Sequence, residues 1–251
     1  MRMIDLTPFI GEGCGNTFLV LSQRYCDCHT DQHIRRVWKE TGVDSILILQ
    51  KSFRGDIRML VPGNDGIGGK ESGEFCGNGA RVIAAYFLRH YGRSPVIESC
   101  GGKLFPTLVE DSAVHVQFPL PQGWHDVVLA AGEPHVRAVR TMTPPELMRF
   151  CNGRPRRVSA NFVEIYSPAH LRVQTFEHSI NKFTASCGTG CVAMAYQAYR
   201  NGRVGRRVTV ETPGGELTVD IGASRIVLSG PARLTEKEYV SIFGADVYIF
   251  S

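Results

Sequence analysis

Two kinds of hydrophobic pattern alternate along this chain. Short runs rich in aliphatic and β-branched residues, such as residues 45–49 and 162–166, predict strands. Two longer apolar segments, residues 82–88 and 192–199, have helical spacing, and each is followed within a few positions by a glycine that can end a helix. The pattern therefore predicts a few helices set among many strands, which is an α+β fold.

The two helical segments belong to an internal repeat. Each is preceded by Cys-Gly-x-Gly and followed by a strand, a Gly-Gly pair and another strand. Cys187 follows Cys76 by 111 positions, and Gly214 follows Gly101 by 113 positions. Two similar units at a nearly constant offset predict two related halves, each with a helix among antiparallel strands.

A boundary between the halves is predicted where Pro-Leu-Pro-Gln-Gly, residues 119–123, interrupts the pattern. Residues 1–120 would then form the half that carries the first Cys-Gly-x-Gly, and residues 121–251 the half that carries the second. The apolar run at residues 247–250 could return to pack on the N-terminal half.

Composition narrows the class of protein. The chain has 251 residues, of which 43% are hydrophobic and 21% charged, as in ordinary globular proteins. Its longest apolar stretch, residues 82–88, is far shorter than the ~20 residues of a membrane span, and no signal peptide is visible, so we expect a cytoplasmic protein without a membrane partner. The net charge of +4 includes an arginine cluster at residues 200–207 that we interpret as a solvated turn, so no nucleic-acid partner is expected. The sequence does not decide the oligomeric state, and a homodimer is compatible with it.

The eight cysteines raise the question of disulfides and metals. Without a secretion signal, a disulfide framework is not expected. Four candidate metal ligands lie close together: Cys26, Cys28, His29 and His33. Their spacing is too short for a structural zinc site, and Thr30 is placed to cap a helix over residues 31–40, which would leave both cysteines in the preceding loop. We therefore expect no metal.

Each half opens its helix with Cys-Gly-x-Gly, and this pattern has a chemical use. A helix N-terminus favours negative charge, so it is expected to lower the pKa of a thiol in the first turn and to seat a substrate carboxylate. Inverting an α-carbon requires that a proton leave one face and another arrive at the opposite face. Cys76 and Cys187 are therefore predicted to act as base and acid of a racemase or epimerase that needs neither metal nor pyridoxal phosphate.

Two other function classes are weighed against this one. A Cys-His hydrolase would use His135 or His178 as the base, but it leaves the second cysteine motif without a role. A non-catalytic amino-acid binding protein could use the same scaffold.

Four further cysteines are not followed by Gly-x-Gly and are interpreted as structural: Cys14, Cys100, Cys151 and Cys191.

The chain resembles the diaminopimelate epimerase family in motifs that span nearly its whole length. The matching segments are Gly13-Cys14-Gly15-Asn16-Thr17-Phe18, Asn64-Asp65-Gly66, Cys76-Gly77-Asn78-Gly79-Ala80-Arg81, Phe176-Glu177, Cys187-Gly188-Thr189-Gly190 and Pro213-Gly214-Gly215. The resemblance implies two pseudo-symmetric domains, each a curled, mostly antiparallel sheet around a central helix, with the active site between them. It implies that Cys76 and Cys187 are catalytic. It also implies a set of residues that hold the reacting amino acid: Asn16, Gly77, Asn78, Gly188 and Thr189.

The departures from the family pattern concern the far end of the substrate. The family's Gly-Asn-Pro-His reads Gly-Glu-Pro-His here, with Glu133 in place of Asn. Another far-end Asn is replaced by Ser159, and the Arg that binds the far carboxylate is replaced by His178, directly after Glu177. Asn64 is a further candidate, although the loop that follows it is longer than in the family.

These departures predict an altered substrate. Loss of the arginine removes the best partner for a second carboxylate, and Glu133 favours a cationic group. We therefore expect a basic amino acid with one carboxylate, such as 2,4-diaminobutyrate, ornithine, lysine or histidine. The alternative is diaminopimelate itself, bound by an unfamiliar set of residues.

Overall fold

The computed structural model describes residues 6–62, 75–110, 113–124, 126–138, 142–153, 158–178 and 180–235. Within these ranges the helices are α1 (Gln23–Cys28), α2 (Asp31–Thr41), α3 (Gly77–Tyr91), α4 (Pro144–Asn152) and α5 (Gly188–Arg200). The strands up to the middle of the chain are β1 (Phe9–Gly13), β2 (Asn16–Ser22), β3 (Ser45–Lys51), β4 (Ile57–Leu60), β5 (Val96–Ser99), β6 (Leu104–Glu110), β7 (Ala113–Pro119) and β8 (Gln122–Trp124). The remaining strands are β9 (Val127–Ala130), β10 (Glu133–Arg137), β11 (Ser159–Ser167), β12 (His170–Glu177), β13 (Lys182–Phe183), β14 (Arg207–Thr212), β15 (Gly215–Ile221), β16 (Arg225–Pro231) and β17 (Arg233–Leu234).

Strand pairing repeats along the chain. In the first half, β1–β2 is antiparallel, β2–β3 parallel, β3–β4 antiparallel, β4–β5 parallel, and β5–β6 and β6–β7 antiparallel. The second half repeats this series in the pairs β9–β10, β10–β11, β11–β12, β12–β14, β14–β15 and β15–β16. The helices α3 and α5 each follow the fourth strand of their series. The α+β fold with two pseudo-symmetric units, expected from the repeat, is confirmed.

The two units are joined to each other by strand pairing. The strands that end the two series, β7 and β16, pair antiparallel with each other over seven residues on each. The short β17, from the end of the described chain, pairs with β1. The boundary at residue 120 stays a prediction, and residues 247–250 lie outside the described residues.

The central helices α3 and α5 are buried over much of their length, and small or apolar residues predominate among their buried positions. In α3 the residues from Gly77 to Ala84 are all buried, and Phe87 is buried further along. The helix ends at Gly92, whose φ of 64° is the left-handed conformation that glycine adopts readily. Just before the helix, the ring of Phe75 stacks on Phe105 at 3.6 Å between centroids, which fixes the chain where it enters α3.

The smaller helices give one confirmation and two corrections. Thr30 caps α2 through its hydroxyl, and Gly42 ends it with φ of 67°, as expected. The placement of Cys26 and Cys28 in a loop is wrong, because they lie in α1, which Ser22 caps by accepting from the Tyr25 amide. The helix α4 was not predicted from the sequence. A capping-box pattern at its start is visible in the sequence, and in the structure Glu146 accepts from the Thr143 amide at 2.7 Å.

The described helices are also too short or too polar to span a bilayer: none of them combines the length and apolar character that a membrane crossing requires.

Candidate active site

A cleft between the two units has a volume of about 170 Å³, which suits a ligand smaller than a typical drug molecule. It brings together the sequence-predicted site residues Cys76, Cys187, Asn16, Gly77, Asn78, Glu133, Ser159, Glu177, His178, Gly188 and Thr189. Asn64 lies outside the described residues. The roles assigned to these residues stay predictions, but the structure does place them around one cavity.

The cleft is lined by pseudo-equivalent positions of the two units. Each unit contributes a tight turn with two residues of positive φ, Cys14-Gly15 in the first and Ala131-Gly132 in the second, and a strand follows each turn. The first residues of these strands are Asn16 and Glu133, and both line the cleft. The next inward positions, Phe18 and His135, line it as well and pair in register with Ser45 and Ser159.

Both candidate thiols are N-cap residues. Cys76 Sγ accepts a hydrogen bond from the Gly79 amide at 3.3 Å, and Cys187 Sγ accepts one from the Gly190 amide at 3.4 Å. The helices start against each other, because a Cβ atom at Gly188 would lie only 3.2 Å from Cα of Gly77. The amide-rich first turns of α3 and α5 therefore meet in the cleft, as two sites of partial positive charge.

The expectation that the helix starts give both thiols a low pKa is wrong. Enclosure by protein raises the pKa of Cys76 to about 11, and the Glu177 carboxylate acts in the same direction. Burial, again followed by Glu177, raises the pKa of Cys187 well above its ordinary value. The helix amides do act to lower both values, as expected, but the loss of hydration outweighs them.

A directional hydrogen-bond network supports Cys187. The amide nitrogen of Asn161 faces the carbonyl oxygens of Val136 and Ser159, which fixes its orientation. It shares its two hydrogens among these carbonyls and His135 Nδ1, 3.3 Å away, so Nδ1 faces a donor and is the unprotonated ring nitrogen. His135 must then carry its proton on Nε2, which lies 3.0 Å from Thr189 Oγ1. The Thr189 hydroxyl is left to donate to Cys187 Sγ, 3.4 Å away. Burial lowers the pKa of His135 to about 3, so its imidazole is neutral at physiological pH.

Ser186, directly before Cys187, joins the two units. Its hydroxyl donates to the Cys14 carbonyl at 2.9 Å and accepts from Asn78 Nδ2 at 2.7 Å. Its carbonyl oxygen accepts from Asn16 Nδ2 at 2.7 Å. The two asparagines of the first unit are therefore oriented by a residue of the second.

The positions that depart from the family pattern lie together. Ser159 Oγ is 3.2 Å from His178 Nδ1, and Glu133 lies two residues before His135 on the same strand face. Lys182, which the sequence analysis did not consider, also lines the cleft and pairs in register with Glu177. This part of the cleft lining thus holds both acidic and basic side chains.

Sequence reasoning missed several residues of the site. His135 was considered only as a hydrolase base, and Asn161, Lys182 and Ser186 were not singled out. The quoted Gly-Glu-Pro-His segment was a signal for His135, whereas the contacts of Asn161 and Ser186 arise only when distant strands and turns meet.

The histidines considered as metal ligands, His29 and His33, make ring-stacking and hydrogen-bond contacts within the protein. His29 and His33 stack with ring centroids 4.6 Å apart, and His33 Nε2 lies 3.2 Å from the Tyr25 hydroxyl. Across the described part of the chain, no group of three or more His, Cys, Asp or Glu side chains is arranged to hold a metal ion.

Comparison with known sequences gives a consistent result. The family model for diaminopimelate epimerase matches residues 135–235. The diaminopimelate epimerase of Methanothrix thermoacetophila is 30% identical over 222 residues, covering 76% of this chain and 77% of the relative. That of Phenylobacterium zucineum is 27% identical over 270 residues, covering 90% of this chain and 95% of the relative.

Comparison with solved structures supports the same fold. A phenazine biosynthesis protein of the PhzF family from Enterococcus faecalis aligns with a TM-score of 0.61 at 13% identity, covering 90% of this chain and 95% of that chain. A hydroxyproline epimerase from Agrobacterium vitis, with bound trans-4-hydroxy-L-proline, aligns with a TM-score of 0.59 at 13% identity, covering 96% of this chain and 97% of that chain.

These relatives, with the repeated fold, define the class of protein as an isomerase of the racemase and epimerase type. The chain belongs to the diaminopimelate epimerase family.

Proposed function

We propose that this enzyme is a cofactor-independent amino-acid racemase or epimerase in which Cys76 and Cys187 exchange protons with opposite faces of one α-carbon. The observation that carries the proposal is the paired placement of the two thiols. Each is the N-cap of a central helix, each accepts from the amide three residues on, and both line one small cleft.

The proposed chemistry is a two-base inversion. One cysteine, as thiolate, takes the α-proton, so an S–H bond forms as the Cα–H bond breaks, and the electron pair moves toward the substrate carboxylate. The other cysteine, as thiol, gives its proton to the opposite face and becomes a thiolate. The reverse reaction uses the same groups with their protonation states exchanged.

The two helix starts are suited to hold the substrate carboxylate. The first-turn residues Gly77, Asn78, Gly188 and Thr189 line the cleft from both sides. Backbone amides aimed at a carboxylate stabilise the negative charge that accumulates there in the transition state, and they do so without reorganising. This seat also keeps the α-carbon between the two sulfur atoms.

The hydrogen-bond network argues against a Cys-His hydrolase. A general base for Cys187 would need a free lone pair directed at its thiol. His135 Nδ1 instead accepts from Asn161, and its Nε2–H is directed at Thr189. The imidazole is therefore a hydrogen-bond donor toward the Cys187 side of the cleft, which fits a role in supporting a thiolate.

For the substrate we propose a basic amino acid with a single carboxylate. Glu133 lines the cleft at the position pseudo-equivalent to Asn16, and a carboxylate there attracts an ammonium or imidazolium group. His178 bonds to Ser159, and its imidazole is a weaker partner for a second carboxylate than an arginine fork.

Diaminopimelate is the second candidate, and one observation favours it. Lys182 supplies a cation to the cleft beside Glu177 and could contact a distal carboxylate in place of the missing arginine. The named relatives are also diaminopimelate epimerases.

A comparison of kcat/KM decides between the two candidates. LL-diaminopimelate should be compared with L-2,4-diaminobutyrate, L-ornithine, L-lysine and L-histidine under identical conditions, following α-proton exchange in heavy water. We expect a single-carboxylate substrate to exceed diaminopimelate by at least tenfold. A wide margin in favour of diaminopimelate would contradict the proposed specificity while leaving the racemase chemistry intact. An absence of exchange with every amino acid would contradict the proposed function itself.

A further inference from the structure

The internal repeat places different side chains behind the two thiols. In each unit, one residue of the third strand in the series lies two positions after a serine that lines the cleft, Ser45 in the first unit and Ser159 in the second. That residue is Leu47 in the first unit and Asn161 in the second, and both are 0% exposed. A hydrocarbon side chain and an amide therefore occupy equivalent buried positions.

These two side chains contact equivalent glycines in the first turns of α3 and α5. A Cβ atom at Gly79 would lie 2.6 Å from Leu47 Cδ1. A Cβ atom at Gly190 would lie 2.7 Å from Asn161 Oδ1 and 2.8 Å from Thr175 Oγ1. The amides of the same two glycines are the ones that donate to the thiols. The repeat thus puts an apolar contact behind the first thiol and a polar pair behind the second.

The polar pair has a single orientation. The Thr175 hydroxyl donates to Asn161 Oδ1 at 2.8 Å, and the two strands that carry these residues pair them in register. On the other side of the amide, the nitrogen faces the carbonyl oxygens of Val136 and Ser159 at 3.1 and 3.2 Å. A flipped amide would turn its oxygen toward these two carbonyl oxygens. The nitrogen therefore stays on the side of His135 Nδ1, 3.3 Å away.

This orientation makes the hydrogen bonds run in one direction, toward Cys187. Because Nδ1 faces a donor, the hydrogen of the His135 imidazole is on Nε2, 3.0 Å from Thr189 Oγ1. The Thr189 hydroxyl then keeps its own hydrogen for Cys187 Sγ, 3.4 Å away. In the opposite tautomer, Nε2 would accept from that hydroxyl and the sulfur would lose its donor.

The first unit has apolar side chains at the same positions. Phe18 and Leu47 stand where the second unit has His135 and Asn161. Neither has a polar hydrogen, so these positions offer no donor on the side of Cys76. Leucine fills the space in a fold that otherwise repeats, so packing alone does not call for a buried amide, which is favourable only while its hydrogen bonds are made.

We propose that Asn161 and Thr175 are positioning residues for Cys187. They select the tautomer of His135, and that tautomer keeps the Thr189 hydroxyl as a donor to the sulfur. This role rests on the proposed two-thiol function. A donated hydrogen bond favours the charged form of a sulfur over its neutral form, so the chain supports Cys187 whenever it is a thiolate. Cys187 is a thiolate before it takes a proton in one direction and after it gives one in the other, so both directions use the support.

The first test observes the tautomer directly and needs no turnover. The intact protein is labelled with nitrogen-15 histidine, and long-range proton–nitrogen correlation spectra at pH 7 distinguish protonated from unprotonated ring nitrogens. Burial lowers the pKa of His135 to about 3, so its ring is neutral there. Among the signals of the eight histidines, those of His135 are missing from a His135→Gln protein. We expect a hydrogen on Nε2 and none on Nδ1. In Asn161→Leu, which copies the first unit, the form with a hydrogen on Nδ1 should become populated.

The second test separates a positioning role from a structural one. Thr175→Val keeps the shape of the side chain but removes the donor to Asn161, whereas Thr175→Ser keeps the hydroxyl. Neither Thr175 nor Asn161 is among the described residues that line the cleft, so substrate binding should change little. We expect Asn161→Leu to lower kcat by about tenfold or more with KM changed by less than about threefold. Thr175→Val should lower kcat by a smaller factor, and Thr175→Ser should keep most of the activity.

Several results would overturn the proposal. A hydrogen on Nδ1 of His135 in the unmodified protein would do so even if no variant folds. An unchanged tautomer in a folded Asn161→Leu protein, or equal kcat in Thr175→Val and Thr175→Ser, would do so too. Absence of racemisation with every amino acid would contradict the proposed function instead, and the spectra would still decide whether Asn161 orients His135.

Discussion

Gly77 and Gly188 bring the two central helices into direct contact at their first residues. A Cβ atom at Gly188 would lie 3.2 Å from Cα of Gly77 and 3.0 Å from a methyl carbon of Leu228. The contact fixes how closely the first turns of α3 and α5 approach, and with them the two cysteines that precede these glycines.

Substituting Gly188→Ala should therefore reduce activity more than stability. The added methyl group forces the helix starts apart by a few tenths of an ångström, and small displacements of reacting groups have large kinetic effects. We expect a fall of about tenfold or more in kcat. Gly42→Ala is an unsuitable control because its φ is positive, whereas Gly123→Ala meets nothing within 4 Å and should leave kcat unchanged. Equal activity of the Gly188→Ala and Gly123→Ala proteins would show that the helix contact does not control the site.

The Thr189 hydroxyl is expected to support the Cys187 thiolate. Thr189→Val keeps the shape of the side chain but removes the donor to Cys187 Sγ. A hydrogen bond to a charged group contributes about 1.5–3 kcal/mol, so kcat/KM for racemisation should fall by roughly 10- to 100-fold. Thr189→Ser retains the hydroxyl and should keep most of the activity. If the Val and Ser variants have the same kcat/KM, the hydroxyl has no part in the reaction.

Acid should destabilise the folded protein through His135. The folded state keeps this imidazole neutral with a pKa of about 3, whereas the unfolded state binds a proton below its usual pKa near 6.5. Protons therefore favour unfolding between these values, and stability is lost as pH falls from about 6.5 toward 3. Between pH 7 and 5 the loss should be about 2 kcal/mol.

Urea denaturation at pH 7, 6 and 5 checks the prediction about His135. In a His135→Gln variant, which has no titratable group at this position, the fall in the free energy of unfolding over this range should be smaller than in the unmodified protein. The same slope in both proteins would assign the acid sensitivity to other groups.

Glu133 is expected to set the charge preference at the far end of the cleft. Glu133→Gln removes the negative charge with little change in shape, so kcat/KM for a basic single-carboxylate amino acid should fall by about tenfold or more. Lys182→Met should affect diaminopimelate more than the basic amino acids. If both variants change all substrates by the same factor, the two side chains do not recognise the distal group.

The repeat made the fold readable from the sequence. The offset between Cys76 and Cys187 predicted two related units, and the structure repeats the series of parallel and antiparallel pairs strand by strand. The short helix α1 was not predicted, because six residues show no helical period and its start depends on a single cap from Ser22. The missed α4 had a readable cap signal at Thr143.

The site was predictable to the extent that it follows from local motifs. The Cys-Gly-x-Gly motifs predicted thiols at the starts of two helices. The family resemblance predicted that Asn16 and Glu133 lie near the substrate, and both line the cleft. The high thiol pKa values could not be read from the sequence, because they depend on how completely the folded chain encloses each sulfur. The Asn161, His135 and Thr189 network joins three separate elements, so no local pattern predicts it.

The central claim is that two thiols act on opposite faces of one α-carbon, and racemisation in heavy water tests it most directly. Starting from one enantiomer of a turned-over amino acid, early time points should show solvent deuterium in the product enantiomer and almost none in the remaining substrate, because the proton taken and the proton given belong to different groups. Cys76→Ala and Cys187→Ala should each abolish interconversion. Product that retains the substrate's own hydrogen, early labelling of both enantiomers, or full activity in either variant would contradict the two-thiol account.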